Sequence, residues 1–269
     1  SGLFVTSTPH QRVAATLWRI LYHFTLSFST TKTESGFLPA VNSGVSAAKI
    51  SMNPTHQTEA ELAEAQAHIY HFLSRFFVTV PDERFVQSLF DDAVLQAVAD
   101  CLSEEALQEL RALREGWSTR WTLKALQQDY WGLFDVPGAR YLAPYESVYR
   151  KEGWDGYGQP TGLLYGPSTS QVLQSYQRAG MQVSPQFLEL PDHIGVEIAF
   201  MAHLYKQEAT AWHAGDEQVS AQYQKWGEEF LQKHLGVWVG EMSEKMLEQA
   251  RTPLYHAAAY MLQSLIPKI

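Results

Sequence analysis

The sequence lacks most of the features that announce a chemistry. Among 269 residues there is a single cysteine, Cys101, so the chain has no disulfide framework and no cysteine-based zinc or iron–sulfur site. One thiol suits a reducing compartment such as the cytoplasm. No GxxxxGK[ST] or GxGxxG loop is present, and the glycines of GYGQPTG (156–162) follow no strand, which rejects them as a nucleotide loop. There is no GxSxG, and no pairing marks a Ser or Cys as a nucleophile. Positive charge is scarce: 20 Lys and Arg stand against 29 Asp and Glu, a net −9 that repels nucleic-acid phosphates and suits a basic partner. Long apolar runs are missing too. TLWRILYHFTLSF (16–28) is too short to span a bilayer and is interrupted by Arg19 and His23.

What is present describes a folded protein. Hydrophobic residues make up 45% and charged residues 18%, enough to build a core on a chain of this length. Aromatics reach 13%, including eight Trp, which serve cores first and binding surfaces second. Residues 1–51 stand apart. They hold Arg12, Arg19, Lys32 and Lys49 against one acid, Glu34, so 16 basic and 28 acidic residues remain in 52–269, a net −12. Residues 16–28 do not read as a secretory leader, because their basic flank is not terminal and no small-x-small cleavage site follows Phe28. A short helix over 11–28 that packs on its own domain or on a neighbour is the plainer reading. Ser29–Ser51, rich in Ser, Thr and Gly, reads as a linker. Residues 1–51 are thus an N-terminal extension, arm or linker, and 52–269 the folded domain, opening at Met52.

From Thr58 onward, helix signals dominate. Leu62, Ile69, Leu73, Phe76 and Phe77 give 59–78 an amphipathic spacing that Pro81 ends. Asp82 starts a helix running to about Asp100, Ser103 caps Glu104–Glu115, and Ser118 opens a helix carrying Trp121, Leu126, Tyr130 and Leu133. Between Asp135 and Pro167 lie four prolines and six glycines, a stretch long enough to be functional or a hinge. Helices resume over Ser168–Ala179, Pro191–Ala214, Asp216–Leu235, Val237–Ala250 and Thr252–Leu265, with Gly180 and Gly215 as left-handed stops. The fold class is all-α: a single helical domain of about nine to ten helices, in two halves joined by a hinge over about 135–167.

Two stretches invite a functional reading. In LPDHIGVEIAFMAHL (190–204), Pro191 and Asp192 suit the first turn of a helix and its dipole. A protonated His193 would oppose that dipole, so a neutral imidazole making one hydrogen bond fits better. His193 and Glu197 are four apart and could share a metal, which makes a helical metal-dependent hydrolase the alternative reading. HExxH is absent, and His203 sits almost three turns away; His68 and His71 share another helix face. In YLAPYESVYR (141–150), Tyr141, Tyr145 and Tyr149 crowd around Glu146 and Ser147. They form either a binding surface or a plug between the helical halves.

DYWGLF (129–134), APYESVYR (143–150), LPDHIGVEIAFMAHL (190–204), FLQKHLGVWVGEM (230–242) and TPLYHAAAYML (252–262) together resemble the TorD/DmsD/NarJ family of redox-enzyme maturation chaperones, in the family's order and over about residues 59–266. The resemblance implies an all-helical cytoplasmic chaperone without catalysis and without a cofactor of its own. It would bind the twin-arginine signal peptide of the apo-form of a molybdenum-cofactor oxidoreductase catalytic subunit, holding back export until folding and cofactor insertion are complete. It carries binding roles to Tyr130, Leu133 and Phe134, to Pro144, Tyr145 and Ser147, and to Asp192 and His193. Glu146 departs from the pattern, since some members have tryptophan and glycine where Tyr145 and Glu146 stand. Some members have guanine-nucleotide affinity, which no phosphate loop here supports. The expected site is an apolar groove of Tyr130, Leu133, Phe134 and Tyr145, edged by Asp192 and Glu146 as partners for the arginine pair. A monomer or a dimer swapped at the hinge is expected.

Overall fold

The computed structural model describes residues 54–154, 160–162, 164–183 and 187–267. The readings made for 1–51 lie outside the described residues. The order is α1 (Pro54–Val78), α2 (Glu83–Ser88), α3 (Asp92–Cys101), α4 (Glu104–Glu115), α5 (Leu123–Tyr130), α6 (Glu146–Tyr149), β1 (Gly153–Trp154), β2 (Pro160–Thr161), α7 (Pro167–Arg178), α8 (Ile194–Ala214), α9 (Glu217–Phe230), α10 (Gly236–Gln249) and α11 (Pro253–Leu265). Turns of π type follow α5 at Trp131–Asp135 and α9 at Leu231–Leu235. The helices, eleven among the described residues where nine to ten were expected, bear out the all-α reading, and β1 and β2 form a two-residue antiparallel pair within 135–167.

Local chemistry explains the breaks. The single helix expected over 82–100 is two, because Asp91 takes an extended backbone and its side chain accepts the Ala93 N–H, starting α3 afresh. Asp82 and Ser103 cap α2 and α4 as the sequence suggests. Ser118 does not open α5. It sits at φ +63° in a turn, and Thr122 supplies the cap by accepting from Ala125 N–H. Gly215, at φ +73°, stops α8 where a Cβ would be strained, and Gly180 takes the same conformation after α7.

α8 is the central rod. It is buried on most of its circumference, from Ile194, Val196 and Ile198 to Phe200, Met201 and Leu204, as expected for a helix enclosed by others. α1 runs antiparallel to it: Tyr70 stacks on Tyr205, His56 meets Trp212 at the far end, and Val78 packs against Gly195 at the near end. A Cβ on Gly195 would stand 2.6 Å from Val78 Cγ1, so glycine is what allows this approach. α9 and α7 close the other side through Phe230 and Tyr176, each ring centroid 4.7 Å or 6.1 Å from its neighbour in the Phe200–Tyr176–Phe230 group. α11, almost wholly apolar on its inner face, packs on α4, α10 and α1, so that one continuous core joins both halves of the chain.

Candidate functional site

The segment between the halves folds back onto the start of α8. Tyr145 and His193 form an antiparallel backbone bridge: Glu146 N–H donates to Asp192 O at 3.0 Å, and Ile194 N–H donates to Pro144 O at 2.8 Å. The Tyr145 and His193 rings meet edge to face, and Phe187 meets His193 in the same way. The PDH triplet and the tyrosine-rich stretch are therefore one structural unit.

PDH is not the first turn of the helix. α8 begins at Ile194, and His193 is its N-cap, accepting the Gly195 N–H on Nδ1 at 3.1 Å. Burial pushes the imidazole down to about 4, so it is neutral at physiological pH and can accept that bond. The expectation of a neutral His193 holds. Asp192 stands one residue before that cap, outside the first turn. Its Oδ2 accepts the Ser147 N–H at 3.0 Å and so holds the start of α6, while Pro191 O accepts the Tyr176 hydroxyl.

Behind the bridge lies a buried charged knot. Glu146 is fully buried; it pairs with Arg150 at 2.7 Å and with His234 Nδ1 at 2.9 Å. Arg150 also donates to Lys233 O and pairs with Glu152, tying the end of α6 to the π turn after α9. Glu197 faces the same knot and accepts the Trp238 indole N–H at 3.2 Å. Burial first, and the Glu146 charge second, push its carboxyl well above the carboxylate range. Ser147 Oγ, Asp192 Oδ1 and Glu197 Oε1 are buried without a hydrogen-bond partner.

This geometry changes the expected division of labour. Asp192 and Glu146, expected to edge the groove and meet arginines, are both turned inward and have no solvent-exposed surface. Leu133, Phe134 and Pro144 are buried, and Ser147 lies beneath the bridge. Tyr130 is half-buried: its hydroxyl donates to Phe77 O, and its ring packs with Phe134 and Tyr255. Tyr145, like Tyr130, is only partly buried.

The carboxylates beside the tyrosines are Glu189 and Asp135, both exposed and both missed in the sequence. Glu189 accepts the Tyr145 hydroxyl. Burial chiefly, with the charges of Glu189 and Asp135 adding to it, raises the Tyr130 hydroxyl to about 12 and the Tyr141 hydroxyl in the same direction, so both acids lie near both rings. Trp131, Val136 and Leu188 add apolar surface on the turn and loop that carry these acids, and Leu188 is 91% exposed. The available signal was Glu189's place three residues before Asp192, and Asp135's place directly after DYWGLF.

The metal reading finds no donor set. His193 Nδ1 and Glu197 Oε2 are each used within the protein, and His203 Nε2 lies against Ala179 O. Among the described residues, no group of three His, Cys, Asp or Glu side chains could hold a metal ion.

The sequence model of the nitrate reductase delta subunit family matches residues 99–244, more than half of the chain and the whole of this unit. The chain belongs to that family. It is the TorD/DmsD/NarJ family that the sequence motifs resemble. Family members similar to this chain include a Chaperone protein TorD of Shewanella loihica, 27% identical over 217 residues that cover 79% of this chain and 94% of the relative. A Chaperone protein TorD of Shewanella pealeana is 28% identical over 229 residues, 83% of this chain and 93% of the relative. One from Vibrio cholerae is 26% identical over 210 residues, 76% and 90% respectively. These family members are named as chaperones and not as enzymes. No helix among the described residues is long and apolar enough to cross a membrane.

Proposed function

We propose that this protein is a cytoplasmic chaperone of molybdoenzyme maturation, which binds the twin-arginine signal peptide of an apo catalytic subunit and assists its folding and cofactor insertion before export. Family membership and the chaperone names of the relatives support the general role. The observation that carries the finer reading is the Tyr145–His193 bridge. It holds Tyr145 against His193 and beside the exposed Glu189, whose carboxylate accepts the Tyr145 hydroxyl, and this supports a binding face at that point. A signal peptide is basic and then apolar. Its apolar run would lie on the tyrosine, Trp131 and Leu188 surface, gaining about 25 cal/mol per Å² buried before ordering costs. Its arginines would meet Glu189 and Asp135, since a guanidinium binds a carboxylate through two parallel hydrogen bonds. Asp192, Glu146 and Ser147 act beneath, fixing the bridge on which the tyrosines stand.

Titration calorimetry of the full chain with a synthetic twin-arginine signal peptide tests this reading. Saturable one-site binding that weakens with salt is expected. Absence of heat at any accessible concentration, with the protein folded, contradicts it. Affinity capture from the native host, expected to return a catalytic molybdoenzyme subunit with a twin-arginine leader, would identify the client.

A further inference from the structure

Phe187, Leu188 and Glu189 run beside the bridge, and their side chains part in alternation. The Phe187 ring meets the His193 ring at a centroid distance of 5.5 Å, and the Glu189 carboxylate accepts the Tyr145 hydroxyl. Leu188, between them, is exposed. Residues two apart in an extended chain face the same way and their neighbour faces the other. Phe187 and Glu189 accordingly both turn to the bridge. Tyr145 itself is fixed there. Its backbone is flanked by the Glu146 N–H bond to Asp192 O and the Ile194 N–H bond to Pro144 O, and its ring lies edge to face on His193 at 5.5 Å.

The Tyr145–Glu189 hydrogen bond thus joins an anchored donor to an exposed acceptor. It uses Oε2 of Glu189, and a carboxylate offers lone pairs on both oxygens, so the group can still take an incoming cation. An exposed glutamate left to itself samples many rotamers and presents its carboxylate plane in many attitudes. The phenol holds that plane in one. Burial first, then the Glu189 hydrogen bond and charge, raise the Tyr145 hydroxyl far above its ordinary value, so it remains a donor throughout the physiological range.

The two basic side chains respond differently to a carboxylate held in this way. A guanidinium is planar and donates two parallel bonds to both oxygens, so it gains when the plane is already set. An ammonium is a compact charge that approaches either oxygen from many directions, and it gains little.

We propose that the Tyr145 hydroxyl is a positioning group that sets Glu189 to receive arginine in preference to lysine. This rests on the function proposed above and deepens it, because it gives the face a means of telling apart two side chains of equal charge.

The test titrates the full chain by calorimetry with two synthetic signal peptides that differ only in carrying an Arg-Arg or a Lys-Lys pair. Wild type should bind the Arg-Arg peptide about tenfold more tightly. Tyr145→Phe keeps the ring on His193 and removes the hydroxyl. It should weaken the Arg-Arg peptide about fivefold and change the Lys-Lys peptide by at most about twofold. Once Glu189→Gln is present, adding Tyr145→Phe should cost the Arg-Arg peptide nothing more. Equal losses for the two peptides, or a loss that persists in the Glu189→Gln background, would show a merely structural tyrosine and overturn the proposal. If Tyr145→Phe binds the Arg-Arg peptide as wild type does, the proposed function stands and the positioning role is lost. If wild type binds neither peptide, the proposed function fails and the positioning role falls with it.

Discussion

The Asp192 carboxylate accepts the backbone N–H of Ser147 at 3.0 Å, beneath a surface that neither residue reaches. One side chain thereby ties the approach to the long helix α8 to the first turn of α6, 45 residues earlier in the chain. Removing it should cost stability first and binding second. Asp192→Ala leaves the Ser147 N–H buried and unpaired, a loss of about 1–3 kcal/mol. Urea denaturation should show that loss with far-UV helix signal retained at zero urea. Asp192→Asn, which keeps an acceptor, should lose less.

His193 predicts acid sensitivity. Its pKa falls from 6.5 to about 4 on folding, because burial penalises the cation. Above 6.5 the ring is neutral in both states. Between 6.5 and 4 the unfolded chain takes up a proton that the folded chain refuses, so stability drops as pH falls through that window, by about 3 kcal/mol for this residue. His68 and His71, also lowered chiefly by burial, act in the same direction. Denaturation midpoints at pH 7, 6 and 5 should fall steadily. His193→Asn keeps a capping acceptor that cannot titrate, and should flatten part of the slope.

Glu197 works from the alkaline side. Its folded pKa is raised, so above about 4.5 the folded state holds a proton that the unfolded chain has released, and stability declines with rising pH until the folded group ionises too. Glu197→Gln keeps an acceptor for Trp238 and removes the titration. At pH 8.5 it should be more stable than the wild type, with the two converging below pH 5. A variant less stable at pH 8.5 would mean that the ionised carboxylate is wanted in the knot.

Glu189→Gln/Asp135→Asn removes charge from the surface only. Thermal stability should stay within about 0.5 kcal/mol of wild type. Affinity for a twin-arginine peptide should fall several-fold at low salt, and the difference should shrink as salt rises.

The elements that pack were legible in the sequence because they are written in local spacing. Leu73, Phe76 and Phe77 marked α1, and Gly215 marked the end of α8. Asp91 was an overlooked cap of the same local kind. The candidate site was half legible. Tyr145 and His193 were picked out and do meet. What 190–193 and 141–150 could not reveal was that they pair with each other through the backbone. That pairing turns Asp192 and Glu146 inward, toward Ser147 and His234, and leaves the outer edge to Glu189 and Asp135. A carboxylate reads alike in sequence whether it meets a partner protein or a backbone N–H 45 residues away.

Hydrogen–deuterium exchange of the full chain, with and without a saturating twin-arginine signal peptide, tests the central claim most directly. Binding at the bridged face predicts new protection concentrated in 131–145 and 187–190, with little change in α4 and α11. Protection confined to other elements, with those two segments unchanged, would contradict it.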